Sequence, residues 1–156
     1  MWSAIQWLAG MSLVLIMAGC SGTHAAGGDG PLDFVELVRG SFSEVKDEQM
    51  LVIRDRDRFR SVWRQTGRSG DPPEVDFDSE MVVAAFVGER RTGGYSIRLR
   101  EAEALGDEIH LRLRIEEPGR GCMVTQAHTQ PWQIVKLPRV EGSAKFDVYR
   151  DTVDCD

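Results

Sequence analysis

The sequence predicts a β-dominated α+β domain, an antiparallel β-sandwich or partly open barrel that carries one short helix. Three observations lead there. The run MVVAAFVG (81–88) is continuously apolar between polar turns, as a central strand buried on both faces must be. Two later segments alternate strictly: Tyr95, Ile97 and Leu99 oppose Ser96, Arg98 and Arg100, and Ile109, Leu111, Leu113 and Ile115 oppose His110, Arg112, Arg114 and Glu116. That alternation belongs to an antiparallel pair with one solvated face. Helical spacing appears in one short stretch, where Phe59, Val62 and Trp63 fall at i, i+3 and i+4.

The elements follow in order along residues 32–156, read as a single domain. FVELVRG (34–40) and QMLVIRD (49–55) are strands by composition. DRFRSVWRQTG (57–67) is the helix, with Asp57 as its N-cap and Gly67 just past its end. RSGDPPEVDFD (68–78) is turn-rich, and two adjacent prolines bar a strand there. EAEALGDE connects the two alternating segments. WQIVKLP (132–138) and AKFDVYR (144–150), joined by RVEGS, complete the set. No internal repeat is present.

A chain of 156 residues, 42% hydrophobic and 28% charged, has the composition of an ordinary one-domain globular protein. Its net charge is −6, and its arginines are interleaved with acids, as in RDRDRFR (54–60). A phosphate backbone would demand a clustered positive face, so nucleic acid is not an expected partner.

The first twenty residues contain no Asp, Glu, Lys, Arg or His. The apolar stretch from Trp7 to Ala18 has the length of a signal-peptide core and is short for a membrane span. It ends in Met17-Ala18-Gly19-Cys20, which resembles the bacterial lipobox. The resemblance implies that 1–19 is a lipoprotein-type signal peptide, cleaved to leave fatty-acylated Cys20 as a membrane anchor. Ser21 at the next position points to the outer membrane. The missing Lys or Arg near the start departs from export signals. It leaves open an upstream start or an uncleaved anchor helix. Small and polar residues fill 20–31, which reads as a flexible tether.

If Cys20 is lipidated, Cys122 and Cys155 remain as an even pair in a compartment that permits disulfides. A bond between them closes a loop of about 33 residues and is worth roughly 3–4 kcal/mol on chain-entropy grounds. The competing reading pairs Cys122 with His128 as nucleophile and base, which needs a free thiol and a third group to orient the histidine. His24 lies in the tether and His110 at an outward strand position. No zinc spacing, nucleophile elbow or phosphate-binding glycine loop is present in the sequence. The expectation is a protein that is not an enzyme and takes no cofactor or metal.

Two loops are the candidate binding elements. In Gly88-Glu-Arg-Arg-Thr92-Gly93-Gly94-Tyr95 the paired glycines permit positive φ and close backbone approach, with Tyr95 as an amphipathic anchor. The same glycines serve a tight turn equally well. PGRGCMVTQAHTQPW (118–132) is long for a structureless connection, and such loops are usually functional. Its MVTQ stretch is alternatively one more edge strand. Both loops flank the same hairpin, so they should converge at one edge and expose Tyr95 or Trp132.

These residues also carry a family resemblance. Val83-x-x-Phe86-x-Gly88-x-x-x-Thr92-Gly93-Gly94-Tyr95-x-Ile97 comes first. Pro118-x-x-Gly121-x-x-Val124-Thr125-Gln126-Ala127-x-Thr129-x-Pro131 and Ile134-Val135-x-Leu137-Pro138 follow in the same order. The pattern is similar to the C-terminal domain family of PrcB, a protease complex subunit, over about residues 48–150. The resemblance implies an exported, often lipid-anchored protein that assembles or stabilises a surface protease complex without catalysing. Trp132 stands where that pattern has Tyr. The candidate binding residues on the two loops are Thr92, Gly93, Gly94, Tyr95, Pro118, Gly121, Thr125, Gln126, Pro131 and Trp132, facing a protein partner. A weaker likeness is to chagasin-type cysteine-protease inhibitors, through Thr92-Gly93-Gly94, Pro118 to Gly121, and Pro131-Trp132. That likeness lacks an Asn-Pro before Thr92 and an Arg before Pro131. A structural or ligand-binding envelope domain is the remaining alternative.

Overall fold

The computed structural model describes residues 29–155. The segment expected to be a signal peptide, Cys20 and most of the expected tether lie outside the described residues. In chain order the elements are β1 (Gly30–Pro31), β2 (Val35–Gly40), β3 (Gln49–Ile53), α1 (Arg56–Gln65) and β4 (Glu80–Phe86). Then come β5 (Ser96–Leu105), β6 (Glu108–Pro118), β7 (Trp132–Pro138) and β8 (Ser143–Val153). They form two four-stranded sheets, ordered β1-β5-β6-β8 and β2-β7-β4-β3. The result is a β-sandwich, with neither sheet closed into a barrel. Pairing begins at Gly30, opposite Ala104, inside the segment read as tether.

Alternation in the strands builds the layers. Met81, Val83 and Ala85 of β4, with Val135 and Leu137 of β7, face Ile97 and Leu99 of β5 and the four apolar residues of β6. The opposite face of β4 and β7, Val82, Ala84, Phe86, Trp132 and Ile134, packs on Phe59, Val62 and Trp63 of α1. The β2-β7-β4-β3 sheet is therefore covered on both sides, which is why β4 reads as an unbroken apolar run. Asp55 caps α1, two residues before the expected Asp57: its backbone is extended and its carboxylate accepts the Arg58 N–H at 2.8 Å. Asp57 sits instead in the first turn, where its charge complements the helix dipole.

The hairpin is longer than its alternation suggests. A register shift between Leu99 and Glu101 inserts Arg100 and flips the phase, so Ala102 and Ala104 become the inward residues. The turn shrinks to Gly106–Asp107, with Gly106 at φ 62°. Gln133 of β7, itself buried, accepts the Leu99 N–H on its Oε1 at 2.7 Å and donates Nε2 to Glu36 of β2 at 2.6 Å. One side chain thus joins both sheets at the bulge. Gln133→Leu should cost about 1–3 kcal/mol in a urea titration, because it strands the buried Leu99 N–H, while the Glu36 carboxylate keeps Arg39 and Arg98.

Strand β8 departs from the antiparallel expectation. β7 and β8 lie in different sheets, and β8 runs parallel to β6 in register from Glu108↔Ser143 to Pro118↔Val153. Arg54 fixes the crossing segment through the carbonyls of Val140 (3.0 Å) and Gly142 (2.9 Å). Arg139 holds it to the carbonyls of Arg54 and Phe77, both at 2.8 Å. Gly142, at φ 102°, lies so close to the Asp107 carbonyl that a Cβ would overlap it. The chain therefore enters β8 at the foot of the hairpin and can only run alongside β6.

Candidate binding site

The two loops meet at one end of the sandwich. Segment 87–95 leaves β4 and feeds β5; segment 119–131 leaves β6 and feeds β7. Antiparallel pairing places Ser96 opposite Glu116 and Phe86 opposite Trp132, so both loops start and finish side by side. They then bond to each other along their length. Val87 N–H donates to the Pro131 carbonyl at 2.8 Å, Arg90 and Thr129 exchange bonds at 2.8 and 2.9 Å, and Gly93 N–H donates to Thr125 at 2.9 Å. The buried Thr129 hydroxyl adds a bond to the Thr92 carbonyl at 2.8 Å.

The glycines serve this contact. Gly94 sits at φ 86°, and a Cβ there would come within 2.8 Å of Val124 and 2.9 Å of Pro118. A Cβ on Gly93 would collide with the Thr125 hydroxyl. The pair is required because a second loop lies against it, beyond what a turn alone would need. Gly121 makes no such close approach and lies exposed. Thr125 and Gln126 are exposed, and MVTQ forms no strand.

The Cys122–Cys155 disulfide pins the outer part of the second loop, with Cα atoms 5.1 Å apart. Gly119 N–H adds a bond to the Val153 carbonyl at 2.9 Å. The bond uses the Cys122 thiol, so the Cys122–His128 nucleophile-and-base reading does not apply to this form. His128 lies 3.4 Å from Glu89 on the surface. Among the described residues no group of three His, Cys, Asp or Glu is placed to hold a metal ion. The two carboxyls held below their ordinary range lie around the start of β4, at the other end of that strand. Ser79 and the Asp78 N–H do this for Asp76, and Lys136 for Glu80.

The side chains on this end correct one expectation. Pro131 and Trp132 are buried. The Trp132 ring stacks on Phe86 with centroids 6.4 Å apart and lies against Gly40, and its indole N–H donates to the Phe42 carbonyl at 2.7 Å. Trp132 is the first residue of β7 and shares the α1-facing side with Ile134, a phase already implied by reading 132–138 as a strand. Tyr95 is half-buried, with the Arg90 guanidinium 5.7 Å from its ring centre. With Arg39, Arg98 and Pro131 it lines a hollow of ≈ 240 Å³. The large apolar residue that does project is Met123, fully exposed beside Cys122. Sequence reading passed over it because a methionine within a mixed loop carries no periodicity. Phe42, 64% exposed on the β2–β3 connection, was missed for the same reason.

Residues 81–138 match the PrcB C-terminal family. The match runs from β4 through β7, including both loops, and bears out the resemblance read from the TGGY and VTQA blocks. At the level of the family it fits a role associated with a protease complex. Comparison with curated proteins and with solved structures gives no match.

Proposed function

We propose that this chain is a non-catalytic envelope lipoprotein, anchored through Cys20, whose domain binds another protein of a surface protease complex through its paired loops. The observation that carries the reading is Met123, an apolar side chain held wholly in solvent by a loop that is bonded to its neighbour and tied by a disulfide. Methionine and aromatic residues are enriched at protein interfaces, and a loop ordered in advance loses little entropy on binding. Tyr95 and its hollow lie beside the same loop pair. The inhibitor alternative needs Pro131-Trp132 as a third exposed loop, and their burial counts against it.

The test is capture of a protease-complex subunit from crosslinked envelopes by the full chain. Met123→Ala and Tyr95→Ala should each weaken capture by about tenfold or more, as interface anchors do, while circular dichroism and thermal unfolding stay close to the parent. Full capture by both folded variants would move the binding surface elsewhere. Cys20→Ala should lose membrane association and any mass shift caused by inhibiting the lipoprotein signal peptidase. Unchanged membrane association and mass would replace the lipid anchor with a spanning one.

A further inference from the structure

We propose that β8 is a dimerisation edge, pairing antiparallel with β8 of a second copy of this chain about a two-fold axis at Val148. The reading is independent of the loop site and rests on how the sheet edges are finished. Open edges normally carry interruptions that discourage pairing. β2 is bulged between Glu36 and Val38, β1 has 2 residues and β3 has 5. β8 has 11 residues, keeps register with β6 throughout, and carries neither bulge nor proline.

The direction of its free groups follows from its two ends. Ser143 N–H donates to Asp107 at 3.1 Å, and the Val153 carbonyl accepts from Gly119 at 2.9 Å. Both partners lie on the β6 side, so odd-numbered residues of β8 turn their backbone groups toward β6. Even-numbered ones therefore turn theirs outward. Among the described residues, no main-chain bond beyond the sheet ladders involves Ala144, Phe146, Val148, Arg150 or Thr152.

A two-fold at Val148 pairs the whole strand: Ala144 with Thr152, Phe146 with Arg150, and Val148 with itself exchange the hydrogen bonds. The odd residues then form the non-hydrogen-bonded pairs, in which side chains approach most closely. There Lys145 meets Asp151 of the second copy, twice by symmetry. Lys145 has no ion-pair partner within its own chain among the described residues, while Asp151 already holds Arg114 at 2.7 Å. Sliding the axis to Asp147 sets that residue against itself, and sliding it to Tyr149 sets Asp147 against Asp151. An axis at Phe146 also sets Lys145 against an acid, Asp147, but leaves residues 150–153 unpaired, so charge and strand length together select the axis at Val148.

Carbodiimide coupling of the full chain in non-ionic detergent tests this directly. The expected product is a covalent dimer containing a Lys145–Asp151 linked peptide. Within one chain these residues sit about 20 Å apart along the strand, so a zero-length link between them must be intermolecular. Sedimentation should show a concentration-dependent dimer that Lys145→Glu weakens by about tenfold or more, with Lys145→Glu/Asp151→Lys restoring it. Ala144→Pro removes an outward N–H, a change that an edge strand tolerates, and should yield a folded monomer. A parent chain that sediments as a monomer throughout would overturn the proposal. So would a dimer that lacks the linked peptide and survives both Lys145→Glu and Ala144→Pro in folded protein.

Discussion

Trp132→Ala is expected to destabilise the domain by about 3–5 kcal/mol in chemical denaturation, the range for truncating a buried tryptophan. The indole fills the space between Phe86 and Gly40, and its N–H satisfies the Phe42 carbonyl. Alanine leaves both a cavity and an unpaired acceptor. Against a total stability of about 5–15 kcal/mol for a domain of this kind, such a loss is severe. Trp132→Phe should recover part of it by refilling most of the volume while still lacking the donor. A loss under about 1 kcal/mol for Trp132→Ala would mean that the indole is mobile and exposed in solution.

The contrast between Trp132 and Met123 shows what the sequence could and could not say. Alternation made the β5 and β6 segments legible because a face turned to the core must repeat with period two, and β4 was legible as an unbroken apolar run because its sheet is covered on both sides. The same periodicity placed Trp132 in β7, but its neighbour Pro131 and its place at the end of a long loop drew it toward the binding reading. Convergence of the loops was legible because hairpin ends lie together. Exposure within a loop was not, since Met123 and Val124 are adjacent and equally apolar, yet only Val124 tucks against Gly94. The parallel course of β8 was hidden as well. A five-residue connection normally signals a hairpin, and the forces that carry it across to the other sheet come from Arg54 and Arg139, far away in sequence or spent on backbone carbonyls.

The second large effect is expected from the disulfide. Cys122→Ser/Cys155→Ser should lower stability by about 3–4 kcal/mol if the bond acts by restricting the unfolded chain. Much of the folded-state change should be local. Strand β8 ends at Val153, and beyond it the bond to Cys122 is what holds the tail against the loop, with the Gly119–Val153 hydrogen bond as its inner support. Hydrogen exchange should therefore accelerate at Gly119 and Cys122 while β4 and β7 stay protected. Because Met123 follows Cys122, the same variant should bind its partner more weakly although no contact residue has changed, the cost being the entropy of ordering the loop on binding. Urea titrations of parent and variant, each with and without reductant, separate these terms. Reductant should bring the parent to the variant's midpoint and leave the variant unmoved. If stability falls by the full amount but partner capture does not change, the disulfide serves the fold alone and the loop is ordered by its bonds to residues 90–93.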